Sequence, residues 1–221
     1  MLIKIYDVIK LLCIHILATF LFSLLKVALE AFDLHDFNPP LINDSLKSEF
    51  PVAFILLTIL IVPVIEELSF RLFLKPNNTN VELGIAAFVS ILFIFFIDMR
   101  AHLLFLPIYL RVSFAYVILL VTFYTFIKFF FLNYSRIKAR SISFLKSNFS
   151  LILFNIIFAA MHYKSELGTA YIWLYPVTLG SYFVGGYIYS ILRIRHGLKY
   201  GILCHSMYNS ILLGSSFLFE V

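Results

Sequence analysis

Charge is scarce in this chain. Asp, Glu, Lys and Arg make up 13% of its 221 residues, about half the share of a soluble domain. With 62% hydrophobic residues, that scarcity excludes a soluble globular protein. Tryptophan occurs once against 26 phenylalanines, so the apolar mass is Phe, Leu and Ile. The two cysteines, Cys13 and Cys204, lie inside apolar runs and supply neither a disulfide framework nor metal-ligand spacing. No stretch alternates with period two, which excludes a β-barrel and leaves helices to satisfy the backbone in lipid. There is no internal repeat of the kind many transporters carry. No Gly-x-Ser-x-Gly nucleophile motif occurs, and Asp98 has no partner Asp in another span. The net charge of +5 sits in short connectors, as membrane orientation requires. No nucleic-acid partner is expected; the lipid bilayer is.

What is present is a series of apolar runs at about residues 5–29, 50–74, 81–98, 103–132, 148–164, 171–192 and 200–219. A span needs about 20 mostly apolar residues. The expected fold is therefore all-α, a polytopic transmembrane helical bundle of seven spans, or eight if one is hidden. Residues 1–49 read as an N-terminal span with an external acidic connector, and residues 50–221 as the membrane core of the same single domain. The first run holds Lys10, His15 and Lys26 without a small-residue cleavage site after it, so it is read as a retained span. Segment 31–49 carries Asp33, Asp36, Asp44 and Glu49, whereas segments 133–147 and 193–199 are basic, with Arg136, Lys138, Arg140, Lys146, Arg193, Arg195 and Lys199. The positive-inside rule then places the N-terminus inside and the C-terminus outside.

Ionisable residues within apolar helices are expensive and mark function. The second run ends Pro63-Val64-Ile65-Glu66-Glu67-Leu68-Ser69-Phe70-Arg71. Glu67 and Arg71 are four apart in the favourable order for an ion pair. Glu66 points about 100° away with no partner on its own helix, which leaves it for chemistry. A carboxylate held away from bulk water suits general-base work. Alternatively, all three charges sit at the membrane interface with Arg71 snorkelling. In the fifth run Phe158 and His162 share a helix face, and in the seventh His205 and Asn209 do. Each pair is equally readable as packing or interhelical hydrogen bonding. Cys204 points away from His205 and is discounted as a nucleophile. Together the clusters supply a carboxylate, two imidazoles and a carboxamide, the parts of a water-activating site.

Glu-Glu-x-x-x-Arg, Phe-x-x-x-His and His-x-x-x-Asn, in that order on separate spans, resemble the CAAX prenyl protease and bacteriocin-processing (CPBP) intramembrane endopeptidases. The similarity covers roughly residues 50–212, and Gly185, Gly186, Arg193 and Gly201 share the family's look. Leu72 stands where the family often has Gly, and the interval from Arg71 to Phe158 is long enough for two extra spans. The resemblance implies that Glu66 and His162 activate water, that His205 and Asn209 hold the oxyanion, and that Glu67, Arg71 and Phe158 support the site. It favours a metal-free mechanism; the alternative is zinc held by Glu66, His162 and His205. The implied substrate is a membrane-associated or prenylated peptide, and likeness to the shorter members points to a bacterial cytoplasmic membrane. Two other functions fit the same features: a non-catalytic peptide-binding or bacteriocin-immunity protein, and a transporter with a Glu66–His162 proton relay. Straight helices place Glu66, His205 and His162 at about 12, 8 and 20 Å from the cytoplasmic end. Tilt, or a fifth helix that begins beyond the lipid, must reconcile these depths.

Overall fold

The computed structural model describes residues 2–31, 51–98, 108–162 and 174–219. The acidic connector's Asp33, Asp36, Asp44 and Glu49 lie outside them. Helix α1 covers Leu2–Ala31. A composite second run follows: α2 (Pro51–Leu56), a π turn (Leu57–Ile61), α3 (Val62–Arg71) and a 3-10 turn (Leu72–Leu74). Then come α4 (Asn78–Asp98), α5 (Ile108–Asn133), α6 (Ser135–Leu145), α7 (Asn148–Ala160), α8 (Tyr175–His196) and α9 (Leu198–Phe219). There is no strand among the described residues, so the fold is all-α. Within the described residues the seven apolar runs fall on helical backbone, apart from a turn at Met161 and His162. Two helices are long and apolar enough to cross a membrane, Leu2–Leu29 and Ala115–Asn133, and a third if the pair α6–α7, bent by 80°, is one span.

Two basic segments differ from their reading as connectors. Residues 135–145 form α6, an amphipathic helix whose Leu145 is buried while Arg136 and Arg140 are exposed. Arg193 and Arg195 belong to the last turn of α8. That helix stops at Gly197, whose φ of 105° is a backbone conformation few other residues adopt, and whose N–H closes on the carbonyls of Leu192 and Arg193. At the start of α7 the Ser147 hydroxyl accepts the Ser150 N–H at 3.2 Å, an N-cap.

Helix α1 packs on α8 and α9, with Val8, Leu12, Ile188, Tyr189, Leu192, Tyr200 and Cys204 in a common core. A second core joins Phe73, Leu74 and Val81 to Phe131 and Leu145. In the interval between Arg71 and Phe158, α4 and α5 pair with each other. Large apolar side chains stand exposed along α1 and α5, among them Leu17, Phe20, Val121 and Phe129, as faces toward lipid require.

Three contacts gather helix ends together. Asp7 pairs with His196 at 2.7 Å, and Glu82 pairs with Lys138 at 2.6 Å. Arg193 donates to the carbonyls of Arg71 and Leu72 at 3.3 and 2.9 Å. The start of α1, the ends of α3 and α8, and the α4–α6 contact therefore share one end of the bundle. That end carries Lys4, Lys75, Arg136, Lys138, Arg140, Arg195 and Lys199.

Candidate functional site

Pro63 shapes the entry into the site. Its ring disfavours a regular turn before it, and the residues just ahead adopt the π turn, in which the Val62 N–H bonds to Leu57 O. Continuing that pattern, residue 63 would donate to Thr58 O, but proline has no N–H. The Asn209 side-chain amide from α9 donates there instead, at 2.9 Å. Neighbouring helices commonly re-satisfy carbonyls freed by proline in this way.

Past the π turn, α3 presents its two carboxylates to different neighbours. Glu67 Oε1 accepts from Arg71 Nη1 at 2.8 Å, and both side chains are fully buried. Desolvating two charges is costly, and direct pairing offsets much of that cost. The Arg71 guanidinium also lies 4.2 Å from the Phe158 ring centre, close enough for a cation–π contact. The interfacial snorkelling alternative for Arg71 is thereby excluded. Arg193, from α8, caps the carbonyls at the end of α3, where helix ends leave acceptors unpaired. Leu72, next to Arg71, is buried.

Glu66 faces two imidazoles. Its Oε1 lies 3.8 Å from His162 Nε2 and its Oε2 lies 3.5 Å from His205 Nε2. The His205 ring therefore bridges the paired glutamates, because its Nδ1 bonds Glu67 Oε1 at 3.1 Å. A carboxylate accepts, so Nδ1–H is the donor. The other histidine, His162, bonds through Nδ1 to the Phe158 carbonyl at 2.8 Å, again as donor, which turns Nε2 toward Glu66. Side-chain exposure rises outward from 0% at Glu67 and Arg71 to 15% at Glu66 and 27% at His162. The ion pair is the floor of the site and Glu66 with His162 is its opening.

The depth mismatch resolves through register. Helix α7 runs antiparallel to α3, with Phe154 against Phe73, Phe158 against Phe70, and His162 against Glu66. Asn148 consequently lies about 9 Å beyond the level of Phe73, so the fifth apolar run starts beyond the end of the second.

Residues that the motifs do not contain complete the walls. Tyr182 stacks on His162 with ring centres 4.3 Å apart, and Tyr189 stacks on His205 at 4.4 Å. Both come from α8, whose Tyr182, Gly186, Tyr189 and Arg193 recur at spacings of four, three and four on one face. That periodicity is the signal that could have found them. Gly186 belongs to the stripe because a Cβ there would fall 2.8 Å from Asn155 Oδ1 and 2.9 Å from Arg71 Nη2. Gly201 likewise makes room for Glu67 Oε2. Cys204, beside His205 in sequence, is buried and turned toward Val8.

The structure thus brings Glu66, Glu67, Arg71, Phe158, His162 and His205 into one cluster and anchors Asn209 on the π turn. Among the described residues, no group of three His, Cys, Asp or Glu has the arrangement to hold a metal ion. In comparisons with known proteins, the family model for type II CAAX prenyl endopeptidases, Rce1-like, matches residues 48–211. No curated protein and no solved structure matches the chain. The match spans most of the chain and takes in every residue of the cluster, so this integral membrane protein belongs to the Rce1-like type II CAAX prenyl endopeptidase family.

Proposed function

We propose that this protein hydrolyses a peptide bond of a membrane-associated or prenylated peptide, with Glu66 as the general base. The observation that carries the proposal is the Glu66 carboxylate held between His162 and His205, at 3.8 and 3.5 Å, above a buried charge pair. Glu66 takes a proton from water as the water oxygen bonds to the scissile carbonyl carbon. His162, whose Nδ1 is committed to Phe158, orients that water with the Nε2 edge that faces Glu66. The carbonyl electrons move onto oxygen, where donors must be in place before the charge develops. In this reading the donors are His205 at Nε2, which faces Glu66 at 3.5 Å, and the second amide N–H of Asn209, beyond the one on Thr58. Collapse of the tetrahedral intermediate breaks the C–N bond, and the departing nitrogen takes the proton from Glu66. No step of this reading runs through a metal.

The test is cleavage of a prenylated or membrane-tethered peptide by purified protein and by its Glu66→Gln variant. A positioned base contributes roughly 10²- to 10⁴-fold, and a loss of that size is expected. Undiminished cleavage by the variant removes Glu66 as the base. Peptide binding without cleavage in the unsubstituted protein favours the non-catalytic reading of the same fold.

A further inference from the structure

We infer that α1, which lies outside the family match to residues 48–211, is part of the site: His15 positions His205 through Tyr189. His15 is 2% exposed in the middle of an apolar helix. A polar ring buried among helices is costly unless it is partnered. Its Nδ1 lies 3.1 Å from the Tyr189 hydroxyl, in a hydrogen bond between α1 and α8. Tyr189 in turn lies flat on His205, the ring planes 15° apart and the centres separated by 4.4 Å. The His15 ring is itself held on two sides. Tyr208 stacks on it at 3.7 Å, and Tyr208 is tied back to α1 by a 2.8 Å bond to Thr19. On the other side Gly185 is obligatory, since a Cβ there would lie 2.4 Å from His15 Cε1 and Nε2.

The chain of contacts runs from α1 to the reacting centre without a gap. His15 fixes the tilt of Tyr189, and Tyr189 is the plate against which the His205 ring rests. Glu67 holds the edge of that ring at Nδ1, but an edge bond leaves the ring free to swing about it. The stacked face removes that freedom, and with it the direction of Nε2 toward Glu66. His15 touches none of the reacting atoms and is a positioning residue. Its effect on rate rests on the hydrolytic reading given above; its effect on the His205 ring does not.

Three variants test this. His15→Phe keeps a ring against Tyr208 and removes both ring nitrogens, with the backbone contact to Ser181 as well as the bond to Tyr189; Tyr189→Phe keeps the stack and removes only the hydroxyl, and His15→Asn returns a polar group near the Nδ1 position. Each is prepared with isotope-labelled histidine in detergent micelles, and the imidazole nitrogen signals of His205 and His162 are followed by NMR alongside peptide cleavage. Expected in both Phe variants are shifted or broadened His205 signals, unmoved His162 signals, and kcat lowered roughly tenfold at constant KM. The double variant falls no further, and His15→Asn recovers signal and rate. His205 signals identical to those of the unsubstituted protein in both Phe variants, or a His15→Asn protein as impaired as His15→Phe, overturns the inference. A Glu66→Gln protein that still cleaves removes the hydrolytic reading alone and leaves the NMR result to stand or fall separately.

Discussion

The Asn209 amide donates to the carbonyl oxygen of Thr58 at 2.9 Å, on the turn that Pro63 forces out of α-helical geometry. One residue of the last helix thereby repairs a defect in the second. The bond also fixes α9 beside the carboxylates, with His205 one turn away from Asn209 on the same face.

This relationship sets a rescue experiment. Asn209→Ala leaves the Thr58 carbonyl without its donor and is expected to cost about 1–3 kcal/mol, read as a lowered Tm in detergent. Adding Pro63→Ala restores a backbone N–H that can reach the same acceptor. The double variant is expected to regain part of the lost Tm; a further fall would show that Asn209 and Pro63 are not linked.

Adjacent glutamates should behave differently. Glu66→Gln is expected to leave stability within about 1 kcal/mol of the parent while activity is lost. Glu67→Gln strands the fully buried Arg71, and removing one partner of a buried pair costs about 3–5 kcal/mol. Thermal unfolding of both variants checks the split. Equal losses of Tm would mean that the two carboxylates do not divide their roles as proposed.

Gly186 is a packing position with no spare volume. Gly186→Ala drives a methyl into Asn155, Arg71 and Phe158, and overpacking of this kind costs about 1–3 kcal/mol. Gly214→Ala is the control, since nothing lies within 4 Å of a Cβ there. Melting curves should separate the two clearly.

Orientation can be read by labelling. The end of the bundle that gathers Lys4 and Arg140 is the basic one, and the positive-inside rule predicts that it faces the cytoplasm. Single-cysteine proteins carrying Lys4→Cys or Arg140→Cys, with Cys13 and Cys204 replaced, should react with an impermeant thiol reagent from the same side of sealed vesicles. Labelling from opposite faces would break the orientation reading and the shared end together.

Much of the fold was legible in the residues. Scarce charge and long apolar runs dictate helices in lipid because no other local structure pairs every backbone group there. The Glu67–Arg71 pair was legible too, since four residues on a helix bring side chains together whatever surrounds them. Helical periodicity likewise put Phe158 beside His162. Where the sequence pattern misled, the cause was context. Arg193 reads as an orienting charge in a basic stretch, yet it is buried as the cap of α3, because the carbonyls it serves lie more than a hundred positions away in the chain.

Local spacing carries no information about which helices meet, at what depth, or with which face inward. The meeting of Glu66 with His162 and His205 depends on the antiparallel register of α3 and α7 and on glycines that let α8 approach. The tyrosines that plate both histidines come from α8, and the imidazole behind one of them comes from α1. Contacts of that kind are set by the packing of whole surfaces against each other, which no single helix encodes.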